Sequence, residues 1–275
     1  MSEIQRLKEE ILKKYPRLKP DTEFSFGCYP GVPCFNACCA DVNIFLTPYD
    51  IIRLKKRLGI SSEEFLKKYT LMPFDKNLNY PVVLLQMNDD EKKACQFVGE
   101  KGCTVYEDRP WACRMYPLGL ASPPEGEDQT DEEFYFLVRD SICKGFEESK
   151  KWTVNEWMHD QGVDEYDAMG REFKGMTLHR FFREGKDITP KKIDMFFTAC
   201  YNIDKFRDFV FETTFLKKFE VDQYELDQIR EDDIALLRFG YRWLRFGLFG
   251  EDTLKIRVEI AKDKEKELKM KGKLK

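Results

Sequence analysis

Nine cysteines stand in this 275-residue chain, and eight of them lie between Cys28 and Cys143, with Cys200 alone beyond. Thiolates are soft ligands that suit zinc, copper(I) and iron–sulfur clusters. Eight within so short a stretch is more than apolar packing of cysteine explains. An odd total works against full pairing into disulfides. In a reducing compartment such groups bind metal or do catalysis.

The spacings narrow the chemistry. They are Cys28-x5-Cys34-x3-Cys38-Cys39, then Cys95-x7-Cys103-x9-Cys113, then Cys143. No CxxC occurs, and only Cys34–Cys38 falls in the range of zinc knuckles. The closely spaced ferredoxin run is absent too. Ligands must therefore converge from distant loops, as around something larger than a single ion. Adjacent side chains diverge in extended backbone, so Cys38 and Cys39 are poor partners for one small ion. They serve two sites, or one of them is a spare thiol. Eight thiolates satisfy two four-cysteine sites, with the pairing open. The expectation is convergence from three segments: the 28–39 loop, the 95–113 hairpin and turn, and Cys143. More than four sulfurs should share one neighbourhood.

Other residues are weighed against plainer roles. Arg109 and Arg114 flank Cys113 and are candidates to donate hydrogen bonds to sulfur; the plainer role for Arg109 is pairing with Glu107 or Asp108. Tyr106, Trp111 and Tyr116 read as packing that keeps water off the site. His159 and His179 lie away from the cysteines, and Cys200 reads as a buried apolar thiol. Arg238, Arg242 and Arg245 share one helix face, an anion or partner site or simply a solvated face.

The elements that must position these residues follow from periodicity and caps. Ile4, Leu7, Ile11 and Leu12 make a helical stripe over 3–14. Thr47, Pro48 and Asp50 start a helix that stops at Gly59. Ser61 with Glu64 caps a second through Tyr69. Residues 81–87, 94–98, 103–106 and 134–138 read as strands, with GEKG turning a hairpin. Asp108 and Pro110 open a short helix or turn around Cys113. Residues 122–133 read as a polar loop. Thr153 with Glu156 caps another helix. Helices are then predicted from Thr189–Pro190 through Tyr201, over 203–218 and 222–248, and from Glu251 as a charged tail. The fold class is α+β, mostly α: an irregular cysteine-rich metal-binding region with a few short strands, then a helical C-terminal region. The expected parts are an N-terminal helix at 1–20, a cysteine-cluster domain at 21–147 and a helical domain at 148–275.

The segments GCYPGVPCFNACCADVNIFLTPYDIIRL and ACQFVGEKGCTVYEDRPWACRMYPLG resemble the YkgJ-type cysteine-cluster family. The CC pair, the L-T-P-x-D helix start and the GC-x-x-Y-x-x-RP-x-x-CR-x-YP run carry the resemblance, over about 28–143. It implies a zinc- or iron-chelating domain, with similar clusters in flagellin lysine methylases. Its ligand cysteines correspond to Cys34, Cys38, Cys39, Cys95, Cys103 and Cys113, with Cys28 and Cys143 as companions.

The leading reading is an iron–sulfur protein, with one or two 4Fe-4S clusters, in electron transfer or cluster-dependent modification of a protein. The alternatives are a zinc protein with a structural metal, and a protein lysine methylase-like enzyme. A protein substrate or redox partner is expected. A net charge of −4 argues against nucleic acid. No apolar run approaches membrane-spanning length, and no signal is visible at the start, so a cytoplasmic protein is expected. No Gly-rich nucleotide loop stands in a strand–turn–helix context.

Overall fold

The computed structural model describes residues 15–73, 80–121, 133–183 and 189–260. The helical stripe at 3–14, all of the 122–133 loop except its last residue, and the tail beyond 260 lie outside these residues. The architecture is α+β and mostly α. Its strands are β1 (Glu23–Ser25), β2 (Phe45–Leu46), β3 (Thr70–Leu71), β4 (Val83–Leu85), β5 (Val98–Gly99), β6 (Gly102–Cys103), β7 (Leu118–Ala121), β8 (Phe134–Leu137), β9 (Lys151–Thr153), β10 (Phe219–Glu220) and β11 (Lys255–Ile256). The helices in the cysteine-rich part are α1 (Pro48–Leu58), α2 (Ser62–Tyr69) and α3 (Trp111–Met115). Then come α4 (Val154–Asp160), α5 (Val163–Thr177), α6 (Arg180–Arg183), α7 (Pro190–Cys200), α8 (Ile203–Glu212), α9 (Phe215–Lys218), α10 (Gln223–Glu231) and α11 (Asp233–Leu244).

Every named strand pair is antiparallel and short: β1–β9, β2–β4–β3, β5–β6, β7–β8 and β10–β11. The β1–β9 pair joins Glu23 to Thr153 and Ser25 to Lys151, so the chain leaves for the cysteine-rich stretch and returns at one place. Two apolar clusters underlie this. The larger gathers Leu46, Ile51, Leu54 and Phe65 with Phe196, Tyr201, Phe206, Leu236 and Tyr241, and is shared by the early and late helices. The smaller holds Phe24, Phe26, Met115, Leu118, Val154 and Trp157. Phe26 sits edge-on to Trp157 at 5.3 Å and to Phe146 at 5.2 Å. Between α1 and the late helices, Lys55 Nζ meets Asp204 at 2.7 Å and Asp233 at 2.9 Å, and Arg207 joins both carboxylates.

Several local predictions need correction. The 94–98 strand is reduced to isolated bridges at Ala94 and Cys95 followed by a turn, with β5 starting only at Val98, and the 81–87 strand narrows to Val83–Leu85. The 222–248 helix is broken at Asp232, whose side chain accepts from Ile234 N at 2.6 Å and Ala235 N at 2.8 Å and so caps a new helix. The 203–218 helix breaks near Thr213, whose hydroxyl turns back to Phe209 O at 2.7 Å and accepts from Phe215 N. The strand at 103–106 shortens because Tyr106–Asp108 forms a 3₁₀ turn. The charged tail is not helical at Lys255–Ile256, which pairs with β10.

Candidate metal centre

The 28–39 segment winds through consecutive tight turns. Val32 N reaches Tyr29 O, Phe35 N reaches Val32 O, Ala37 N reaches Cys34 O, and Cys39 N reaches Asn36 O, all within 2.9–3.1 Å. Asn36 takes a positive φ of 64°, a conformation that asparagine tolerates. Two close approaches seat this segment. Gly27 N donates to Gly145 O at 3.0 Å. A Cβ on Gly145 would stand 2.6 Å from Gly27 O and 2.7 Å from the Phe26 ring, so only glycine fits. Cys28 and Cys143 are thereby held on neighbouring strands of chain. The amide of Lys144 donates to the Cys34 sulfur at 3.0 Å, the kind of main-chain contact that supports a thiolate.

The second group is tied to the first by main chain. Cys95 N donates to Cys39 O at 2.8 Å, and Asp41 N to Lys93 O at 2.9 Å. From Cys95 the β5–β6 hairpin sets Val98 opposite Cys103, and Thr104 returns its amide to Phe97 O at 2.8 Å. Cys113 lies on α3, whose start is fastened to α1. Asp50 closes the Thr47 capping box through Oδ2, accepting from Thr47 N at 2.7 Å. Its Oδ1 accepts from Trp111 N at 2.8 Å. This carboxylate is fully buried, and desolvation pushes its pKa up to about 6 against the pull of those hydrogen bonds.

The thiols fall into two electrostatic neighbourhoods that meet at Cys38 and Cys39. Burial raises Cys28 to about 11, and Cys38, Cys34 and Cys143 add to the rise. Cys113 is raised to about 12 by burial, then by Cys95, Asp50 and Cys103, against Arg109. Burial also raises Cys95 and Cys103. Cys38 and Cys39 hydrogen-bond one another, which lowers Cys38 and raises Cys39; Cys39 further feels Cys113 and Cys95. One set is thus Cys28, Cys34, Cys38 and Cys143, the outer one, in which Cys28 is exposed. The inner set is Cys39, Cys95, Cys103 and Cys113, in which Cys95 and Cys103 pack on the large core cluster. All nine cysteines are free thiols. The sulfurs are grouped without closing on one point: among the described residues no three Cys, His, Asp or Glu side chains reach metal-holding geometry. Four soft, partly desolvated sulfurs per set, each opposing its neighbours' ionisation, form a donor set that a cation or iron–sulfur cluster fits, because bound metal favours the thiolate.

The arginines serve the scaffold. Arg114 donates to Arg109 O at 3.1 Å, Gln161 O at 2.7 Å and the carbonyl of Glu107, and lies 4.3 Å over the Tyr166 ring. Arg109 donates to Tyr106 O at 2.6 Å and Gln161 Oε1 at 2.7 Å, and stacks 3.9 Å over Tyr106. Asp108 is taken instead by Arg53 at 2.8 Å. Arg109 still lies in the field of Cys113 and Cys103. His159 is exposed beside Asp164, and His179 stacks on Phe249 at 3.8 Å, both apart from the cysteines. Cys200 is buried, and desolvation raises it. Arg238, Arg242 and Arg245 pair with Glu172, Glu225 and Glu251. Sequence reading missed the second oxygen of Asp50, the Lys144 amide and Gly145. Only the glycine, two residues after Cys143, offered a signal.

A family model described as "CxxCxxCC: Putative zinc- or iron-chelating domain" matches residues 27–156, a span that holds all eight clustered cysteines. No curated protein and no solved structure matches the chain. No helix among the described residues is long and apolar enough to cross a membrane.

Proposed function

We propose that the chain, whose residues 27–156 match a zinc- or iron-chelating domain, holds two four-thiolate centres, read first as iron–sulfur clusters. The observation that supports the proposal is the two neighbourhoods of thiols, Cys38 beside Cys28 and Cys39 beside Cys95 and Cys113, tied to the chain by the Lys144 N–Cys34 and Cys95 N–Cys39 O hydrogen bonds. Four thiolates are the full complement of a 4Fe-4S cluster and also of a structural zinc ion. Spread of each set over separate segments favours the larger object. Bound clusters supply one-electron chemistry, for electron transfer to a partner or for cluster-dependent modification of a protein. The chain's own part is to fix the segments by main-chain bonds, so that closing each sphere is left to rotation of the cysteine side chains. The core shared with the late helices packs against Cys95 and Cys103 of the inner set.

Anaerobic purification followed by elemental and acid-labile sulfide analysis tests this. A brown protein with iron and sulfide in equal amounts supports clusters. A colourless protein with stoichiometric zinc moves the reading to two structural zinc sites. A protein that takes up neither metal on reconstitution removes the proposal.

A further inference from the structure

Tyr116 follows α3, and its ring stands edge-on to Phe26 at 5.7 Å. Its hydroxyl oxygen is buried and has no hydrogen-bond partner among the described residues. A buried hydroxyl without a partner is disfavoured, and few persist without a reason. The groups in whose field it stands are Cys143, Cys38 and Asp140. Cys143 is the side chain with which it interacts most strongly, although the pair falls short of full hydrogen-bond geometry. A phenol carries a proton and can donate it. A thiol is a weak acceptor; a metal-bound thiolate is a strong one.

We propose that Tyr116 is a positioning residue of the outer centre, donating its O–H to the Cys143 sulfur once that sulfur is ligated. Rotation of Cys143 onto a bound ion gives the orphaned hydroxyl its acceptor. The hydrogen bond orients that ligand and holds electron density on the sulfur. The inference rests on the outer four-cysteine centre proposed above.

The test compares the full chain with Tyr116→Phe, which keeps the ring against Phe26 and removes one oxygen. Both are stripped by chelator and titrated with cobalt(II), whose absorption reports four-thiolate sites. The wild type should take two equivalents. In the variant one equivalent should bind unchanged, while the other weakens about 10–100-fold and its sulfur-to-cobalt band shifts. The stripped variant should unfold at the same temperature as the stripped wild type or higher, because it lacks the orphaned hydroxyl. Equal affinity and spectra for both equivalents would overturn the proposal. So would a similar loss of stability in stripped and loaded forms, which marks an ordinary packing role. A wild type that takes fewer than two equivalents removes the two-centre reading itself, and Tyr116 with it.

Discussion

The carbonyl of Cys39 accepts the amide of Cys95 at 2.8 Å, so the adjacent-cysteine pair is locked to the hairpin that carries Cys103. Cys38 interacts first with Cys39, and its other electrostatic neighbours are Asp140, Cys28 and Tyr116. The pair therefore stands at the seam between the two sets.

From that seam, single-cysteine variants should subtract one centre each. Cys34→Ser should lose the outer centre and keep the inner. Cys113→Ser should lose the inner centre and, because site formation and folding are coupled, also lower the thermal midpoint more. Cys200→Ala should match the wild type in metal content. Metal per chain by elemental analysis decides this, and unchanged content in both serine variants would end the ligand assignment.

Gly145→Ala should disturb the outer set without touching a ligand. The added methyl meets Gly27 O at 2.6 Å and the Phe26 ring at 2.7 Å. Overpacking of this kind costs about 1–3 kcal/mol. A drop in the urea midpoint, with outer-centre metal lost and inner-centre metal kept, is the expected result. Retention of both at wild-type stability would show that the 27–145 contact gives way freely.

Asp50→Ala removes the N3 half of the Thr47 capping box and leaves the Trp111 amide without its partner, about 1–3 kcal/mol. Asp50→Asn keeps one carbonyl oxygen and should fall between the two. Chemical denaturation measures both, and equal stability of all three proteins would show that the carboxylate does not join α1 to α3.

Asp204→Ala should loosen the seat of α1 on the late helices. It removes the acceptor of Ser62 N at 2.6 Å and one partner of Lys55, leaving Asp233 to hold that ammonium. The loss should be smaller than the about 3–5 kcal/mol of a buried pair left wholly unpaired. Lys55→Met, which removes the charge and keeps the stem, should be better tolerated than Asp204→Ala in the same unfolding assay.

The sequence spoke clearly where the signal was local. The caps at Thr47, Ser61 and Thr153 all form, because a side chain three residues from its acceptor needs no tertiary partner. The eight clustered cysteines were legible as candidate donors for the same reason: residue type carries the chemistry. Their division was not. It depends on the Cys39–Cys95 main-chain bond and on the Gly27–Gly145 approach, which join residues far apart in the chain. The breaks at Thr213 and Asp232 were missed because an unbroken apolar stripe outweighs one capping side chain when only periodicity is read.

The β1–β9 pair also decides how this molecule meets mechanical load. Glu23 and Thr153 lie at the same end of that ladder, so tension on the two flanking chains opens it pair by pair, as a zipper, from Glu23–Thr153 towards Ser25–Lys151. Behind the third pair come the Phe26–Lys150 and Gly27–Gly145 bonds and then Cys28 and Cys143. If the proposed outer centre is filled, it is the next fastener in line, and extension of a metal-loaded chain should halt there after the ladder has parted.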